Sequence, residues 1–505
     1  MKFNLIRVNA LANYIGTAFL LIFSITTVPY LLESLGPEAY GLIGFFAILQ
    51  NILSVFDLGF SQFVGRQAAI AKGRNTEFIF FADILKSVEV YAIFLLGIIL
   101  LLLFPISSAL TDYWFQSNIL TSREIEISLR IMFVCGALQI FIRLYKFALI
   151  GFEAQVWVNS FTIIIGALRF VGALFFIWLI SDEIFHFFLY QLGIIILEGA
   201  VLRLKLYSIL PSSLDLSLRF NLIALKQALP LCASLAVVSF FWILATQSDK
   251  FILSKILPLN EFGFFTLVTL ISSSSIYIVL PIRQAVQPRL TALLDNLKLS
   301  EAILLYRQSS HFIALLTGAF VSFLFYYSEA LIFIWTGNRE LTEFSEDILY
   351  LFAAGSGLFA IQLILVALQI ANGALSLHIK TTAISLVLQI PIIAWAALEY
   401  GVFGVAVSWF LLRFLFFILW PLIIHRSFSK DLHLNWLFKD ILPVVAIQIA
   451  TGYVLSNIIS IQFIYSSFLP VITLLLIGLV ILLSGLIYSP YLRDFLKLAL
   501  SAGKK

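Results

Sequence analysis

Charged side chains are what this chain has least of. They make up 11% of its 505 residues, against about 25% in soluble globular domains. No water-soluble fold of this length could hide the 62% of residues that are hydrophobic, so lipid has to be the solvent for much of the surface. Cysteine is nearly missing too. Cys135 and Cys232 lie inside apolar runs, without CxxC or Cys/His spacing. That pattern indicates buried, inert thiols, and neither a disulfide nor a metal site. Long polar segments are also lacking. The longest breaks on the expected outer side, around 105–124 and 336–346, are too short for a folded extramembrane domain. This counts against a membrane glycan polymerase or ligase working in a large external loop. The net charge of +4 is no argument for nucleic acid, because its distribution carries the information. Met1–Arg7 is basic, but the apolar stretch after it is too long for a signal peptide and lacks a small-x-small site. It predicts a permanent first helix.

What is there instead is a succession of apolar runs of membrane-spanning length. They fall at 10–32, 41–64, 84–104, 125–149, 157–180, 184–207 and 228–247, then at 262–282, 310–335, 347–371, 379–398, 402–424, 440–459 and 465–488. The expected fold class is an all-α integral membrane protein with about fourteen transmembrane helices. Lysine and arginine gather on the cytoplasmic side of membrane proteins. With the N-terminus inside, 24 of the 31 basic residues fall in inner segments, and only Arg123, Lys250, Lys255 and Arg339 fall in outer ones. A miscounted helix would invert every later loop and spoil this bias. Both termini are therefore expected in the cytoplasm.

Two passages far apart in the chain share a pattern. `LLESLGPEAYGLIGFF` and `FILSKILPLNEFGFFTL` each end a helix, turn at Pro37 or Pro258, and restart at an aromatic-glycine pair, Tyr40-Gly41 or Phe262-Gly263. Both begin on an inward-to-outward helix, so the repeat is parallel. The expected organisation is a six-helix bundle at 1–210, a cytoplasmic linker at 211–227, a second six-helix bundle at 228–425, and two appended helices with a tail at 426–505. Two facing bundles are the architecture of an alternating-access transporter.

Polar residues recur at helical spacing on four of the spans. Helix 1 carries Asn9, Asn13, Thr17, Ser24 and Thr27; helix 2 carries Gln50, Ser54, Asp57, Ser61 and Gly65. Helix 5 carries Asn159, Thr162, Gly166, Arg169 and Ala173; helix 7 carries Ser239, Trp242, Thr246 and Asp249. Such stripes face either a hydrated cleft or a partner helix. Charges inside spans are costlier, roughly 2.5–3.5 kcal/mol each at a helix centre. Arg169 lies roughly 18 Å into helix 5, and Arg413 is similarly central, with Trp409 one turn away as a cation–π partner. The candidate cavity residues are Arg169, Arg413, Asp57, Asn13, Thr17, Asn159, Thr162 and Asp249. For the two arginines and Asp57 a structural ion pair is the competing reading. Glu198, Arg130, Glu89 and Lys86 read as structural or interfacial, with Lys86 and Glu89 spaced to pair with each other. The five histidines fall mostly at span ends and loops, where solvated or interfacial positions are expected. A midplane arginine suits an anionic cargo and a Ser/Thr/Asn-lined cleft suits sugar, whereas a cation exporter would offer acids. No catalytic, metal or cofactor site is expected.

The residues `NALANYIG`, `VPYLLESLGPEAYGL` and `VFDLGFSQFVGRQAA` resemble polysaccharide (O-antigen type) flippases of the multidrug/oligosaccharidyl-lipid/polysaccharide exporter superfamily. `QSDKFILSKILPLNEFGFF` looks like the second-half counterpart, although `KILPLNEFG` lacks the glycine-containing turn of the first half. The resemblance implies a transporter, not an enzyme. It implies movement of undecaprenyl-diphosphate-linked oligosaccharide from the cytoplasmic to the periplasmic leaflet of a bacterial inner membrane. The implied partners are that lipid-linked substrate, the bilayer, a coupling ion (proton or sodium, with Asp57 as candidate carboxylate) and polysaccharide polymerase machinery. A multidrug or cation antiporter on the same scaffold is the alternative.

Overall fold

A computed structural model describes residues 2–73, 78–211, 220–373, 375–429, 431–459, 468–489 and 491; the side chains of 2–15, 17–18, 375–376 and 468 lie outside the described set. The described chain is helical throughout, without a strand. In hydrocarbon every backbone N–H and C=O must be bonded internally, and a run of helices achieves this. In the first part of the chain these are α1 (Lys2–Leu53), α2 (Phe60–Gly73), α3 (Phe78–Tyr113), α4 (Ser122–Gly151), α5 (Gln155–Ala167), α6 (Ala173–Leu179), α7 (Ile184–Ile209) and α8 (Leu222–Ile256). The rest comprises α9 (Leu259–Asp295), α10 (Leu299–Thr336), α11 (Arg339–Glu346), α12 (Leu349–Ala371), α13 (Leu375–Arg426), α14 (Leu432–Asn435), α15 (Leu442–Ile458) and α16 (Phe468–Tyr488).

Twelve helices among the described residues are long and apolar enough to cross a membrane. Two of these are double passes. α1 breaks at Gly36 (φ 81°, ψ 167°) and α13 at Gly401 (φ 60°, ψ −147°), a backbone region that essentially only glycine occupies. Before Gly36, α1 runs alongside α5 and α6: Gly16 lies against Asn159, and Ser34 Oγ accepts from Trp178 Nε1. After Gly36 it runs with α4, with Phe45 against Phe115 of the loop before α4 and Leu53 filling the notch at Gly136. Since α4 and α5 are joined by a short turn, the two arms of α1 run in opposite directions. At Gly401 the reversal is local. A Cβ on Gly404 would lie 2.7 Å from the Ala396 carbonyl oxygen, although eight residues of straight helix would separate them by about 12 Å. Twelve helices with two double passes give the fourteen crossings expected from the sequence.

The chain forms two compact units, Met1–Gly263 and Phe264–Lys505. In the first, α8 packs on α1, α2 and α3. Its core holds Leu42, Ile48, Phe60, Phe81 and Phe188. The second unit centres on Tyr306, Ile364, Leu368 and Trp436. Lipid-facing surface is plain on α3, where Phe94, Leu101 and Phe104 are exposed.

Candidate functional site

Arg169 sits where the backbone departs from α-helical geometry. Between α5 and α6 the chain makes a π-turn over Leu168–Gly172, a feature found often at functional sites. The wider turn leaves carbonyls without α-helical partners, and α7 supplies substitutes. Tyr190 donates its hydroxyl to the Leu168 carbonyl at 2.7 Å, and Gln191 Nε2 donates to the Arg169 carbonyl at 2.9 Å. The Arg169 backbone is thus fixed independently of its side chain.

The guanidinium reaches Glu198 of α7, Nη2 to Oε2 at 2.6 Å. The other carboxylate oxygen accepts from Lys146 Nζ of α4, also at 2.6 Å. Two cations therefore share one carboxylate, leaving a local charge of +1. Glu198 is shut in at 3% side-chain exposure, while Lys146 and Arg169 keep 26% and 24%. Arg169 Nε is buried and finds no acceptor among the described residues. Glu198, which reads in sequence as structural or interfacial, is the partner of both Arg169 and Lys146. Lys146 reads in sequence only as one cytoplasmic-side base. Nothing in local spacing marks the triad, because its members stand on three separate elements and meet only through helix packing.

The other candidates lie elsewhere. Asp57 ends a short 3₁₀ segment (Ser54–Asp57), followed by Leu58 (φ 48°) and Gly59 (φ 77°). Its carboxylate accepts from Ser61 Oγ at 2.6 Å and Ser61 N at 3.2 Å, which caps α2; Arg143 of α4 interacts with it electrostatically. Gly59 is pressed against the Cys232 carbonyl of α8. No hydrogen bond or ion pair between described residues joins Asp57 to Arg169.

On helix 5 Asn159 lies against Gly16, and Gly166 receives the side chain of Leu20, so this part of the polar stripe is a close-packing seam with α1. Thr162 is half-buried. Asn13 and Thr17 have side chains outside the described residues. Asp249 is buried in α8 beside Lys250, with which it interacts electrostatically. In the second unit Arg413 is buried between two ring faces, with its guanidinium carbon 4.2 Å from the Trp409 centroid and 4.3 Å from that of Phe359. Trp409 is the partner the helical spacing indicates; Phe359, on α12, is not legible from spacing.

Lys86 and Glu89 pair at 3.0 Å as their spacing predicts, and both are buried. Tyr145 and Tyr207 donate to the same carboxylate at 2.9 and 2.8 Å, so this network is saturated. The histidines depart from expectation: His311, His425 and His433 are buried. His425 contacts Tyr306 Oη at 2.8 Å and His433 Nδ1 at 3.3 Å. His311 bridges the Asp440 carbonyl (2.8 Å) and Ser489 Oγ (2.7 Å), and Asp440 accepts two bonds from Arg307 at 2.6 and 3.0 Å. Span ends in this unit are packed against one another, so polar side chains there find protein partners in place of water. Cys135 and Cys232 are buried free thiols.

No family model matches the chain, and no curated relative matches it. Solved structures do. A multidrug resistance MATE family transporter of the MOP superfamily, in an inward-facing conformation, aligns with a TM-score of 0.67 at 14% identity, over 83% of this chain and 99% of that one. The lipid II flippase MurJ, in an inward closed conformation, aligns with a TM-score of 0.66 at 13% identity, over 97% of this chain and 99% of that one. A MOP superfamily transporter from Pyrococcus furiosus, reported with a binding pocket of reversed polarity, gives 0.59 at 15% identity over 85% and 96%. The fold is therefore that of a multi-pass membrane transporter. More particularly, it is the fold shared by drug transporters of the MOP superfamily and by the lipid II flippase MurJ, and these similar proteins are transporters or flippases.

Proposed function

We propose that this chain flips undecaprenyl-diphosphate-linked oligosaccharide repeat units across a bacterial inner membrane, from the cytoplasmic to the periplasmic leaflet, for surface polysaccharide assembly. The observation that carries the reading is the triad in which Lys146 and Arg169 share Glu198. A net positive point at membrane depth, with the side chains of both cations partly exposed, is suited to phosphate oxygens. The likeness to a lipid flippase over 97% of the chain, against 83–85% for the other two, supports the same reading. In this mechanism the diphosphate docks at Arg169, the glycan occupies a polar cleft, and the prenyl tail stays in lipid. The reading rests on Arg169 more than on Arg413, whose guanidinium faces are both covered by aromatic rings. Rocking of the two six-helix bundles would carry the site from one leaflet to the other, with both termini in the cytoplasm and polymerase machinery receiving the product.

A second reading, a multidrug or cation antiporter, is favoured by the buried carboxylates Asp57 and Asp249 and by the likeness to drug transporters; Asp57 is the candidate for proton or sodium coupling in either case. Deleting the gene decides between them. The flippase reading expects lipid-linked repeat units to accumulate on the cytoplasmic face with loss of surface glycan. Intact surface glycan with increased drug sensitivity would establish the antiporter instead.

A further inference from the structure

Two buried charged clusters among the described residues of the first unit contrast: one is saturated and the other is not. In the Lys86–Glu89 pair, one cation meets one carboxylate and two tyrosine hydroxyls complete it, with both side chains at 3% exposure. In the Lys146–Glu198–Arg169 triad the carboxylate is equally closed, but each cation keeps about a quarter of its surface open and Arg169 Nε lacks an acceptor among the described residues. At membrane depth a guanidinium that is not fully paired requires water or an anion against it. The other charged and titratable groups around Glu198 do not compete for these cations. On α4, Arg143 interacts with Asp57, Tyr145 donates to Glu89, and Cys135, which interacts electrostatically with Arg169, is a buried free thiol. On α7, Tyr190 is bonded to the π-turn, and Arg203 lies over the Tyr207 ring. Neither α6 nor the rest of the π-turn carries a charge.

We propose that Glu198 is a surrogate anion: it holds Lys146 and Arg169 in the empty transporter and is exchanged for the oxygens of an incoming phosphate or diphosphate group. This rests on the reading of Arg169 as the docking point and adds Lys146 as the second ligand-binding cation and Glu198 as a positioning residue. A diphosphate offers enough oxygens to take both cations at once, bidentate on the guanidinium. Because Tyr190 and Gln191 hold the π-turn backbone, the Arg169 side chain can change partners without moving the helix. The same competition makes release possible. When the ligand leaves, Glu198 reclaims both cations, so binding is weakened in exchange for turnover.

The test uses the full-length protein in lipid nanodiscs, titrated with inorganic pyrophosphate and, separately, with undecaprenyl diphosphate. E198Q removes the competing charge and should bind tighter than wild type by about tenfold, within the range typical of coupled sites. Its reconstituted flipping rate should fall, a split that a merely structural glutamate would not produce. K146M should weaken binding. K146M/E198Q keeps the triad's net charge and is the folded control; it should bind better than K146M. A folded E198Q that binds no tighter than wild type overturns the exchange, and so does a double variant that binds no better than K146M. Tightening for both probes assigns recognition to the phosphate group alone, and tightening for the lipid only assigns it to the lipid-linked diphosphate; either supports the proposal. Wild type that binds neither probe overturns the flippase reading and the exchange with it, whereas wild type that binds without the E198Q effect overturns the exchange alone.

Discussion

Gly41 and Gly263 meet backbone to backbone within the first unit. A Cβ on Gly263 would lie 3.0 Å from the Gly41 amide nitrogen and closer still to the Pro37 carbonyl, while one on Gly41 would strike the Leu259 carbonyl. These are the glycines of the two aromatic-glycine pairs that the repeat in the sequence aligns with each other. Small residues let helix backbones approach this closely. G41A and G263A should each lower thermal stability, by about 1–3 kcal/mol for overpacking. G97A, at a glycine with nothing within 4 Å of its added Cβ, is the control. Equal melting temperatures for all three variants would show that the contact is not close.

The reversals at Gly36 and Gly401 make a separate prediction. Their φ values of 81° and 60°, combined with ψ values of 167° and −147°, are disfavoured for any side chain even though a Cβ would meet nothing within 4 Å at either site. G36A and G401A should therefore cost about 1–3 kcal/mol through backbone strain alone. Thermal unfolding in detergent checks this. Unchanged stability would mean that the reversal does not need glycine.

How much of this is legible in the sequence follows from the range of each signal. The Gly36 reversal is a local event, written as Gly-Pro between two apolar runs, and the fourteen crossings follow from run length and the bias of the basic residues. Trp409 under Arg413 is also local, one helical turn away. Glu198 is not. Its two partners come from α4 and the π-turn, and only tertiary packing brings them together. The buried histidines escape a local reading for the same reason, since His311 depends on Asp440 and Ser489, far along the chain.

Glu38 gives a prediction in the turn beside Gly36. Its carboxylate accepts from Ser117 Oγ at 2.6 Å and from the backbone amides of Asn118, Ile119 and Leu120 at 2.8–3.2 Å. Four donors on one buried carboxylate tie the α1 turn to the loop before α4. E38Q keeps the shape but replaces one accepting oxygen with a donor. It should destabilise by about 1.5–3 kcal/mol, the range for a hydrogen bond to a charged group. Transport by the surviving folded protein should be unaffected, because no hydrogen bond or ion pair between described residues joins Glu38 to the triad. A stability within error of wild type would mean that the nest contributes nothing.

Arg169 carries the functional prediction. R169A removes the guanidinium, and flipping should be abolished. R169K keeps the charge but loses the planar fork that grips two oxygens, so it should retain part of the activity. Loss of an anchor also leaves Glu198 with Lys146 alone, and Y190F separates that effect from fold. It removes the hydroxyl bonded to the Leu168 carbonyl and should cost about 1–3 kcal/mol of stability for an unsatisfied buried group, with the side-chain cations intact. The measurement is flipping in proteoliposomes alongside the melting temperature of each variant. If R169A and R169K both flip at the wild-type rate, Arg169 is not the docking point. If Y190F abolishes flipping as fully as R169A at an unchanged melting temperature, the π-turn geometry itself governs transport, and the charge does not act alone.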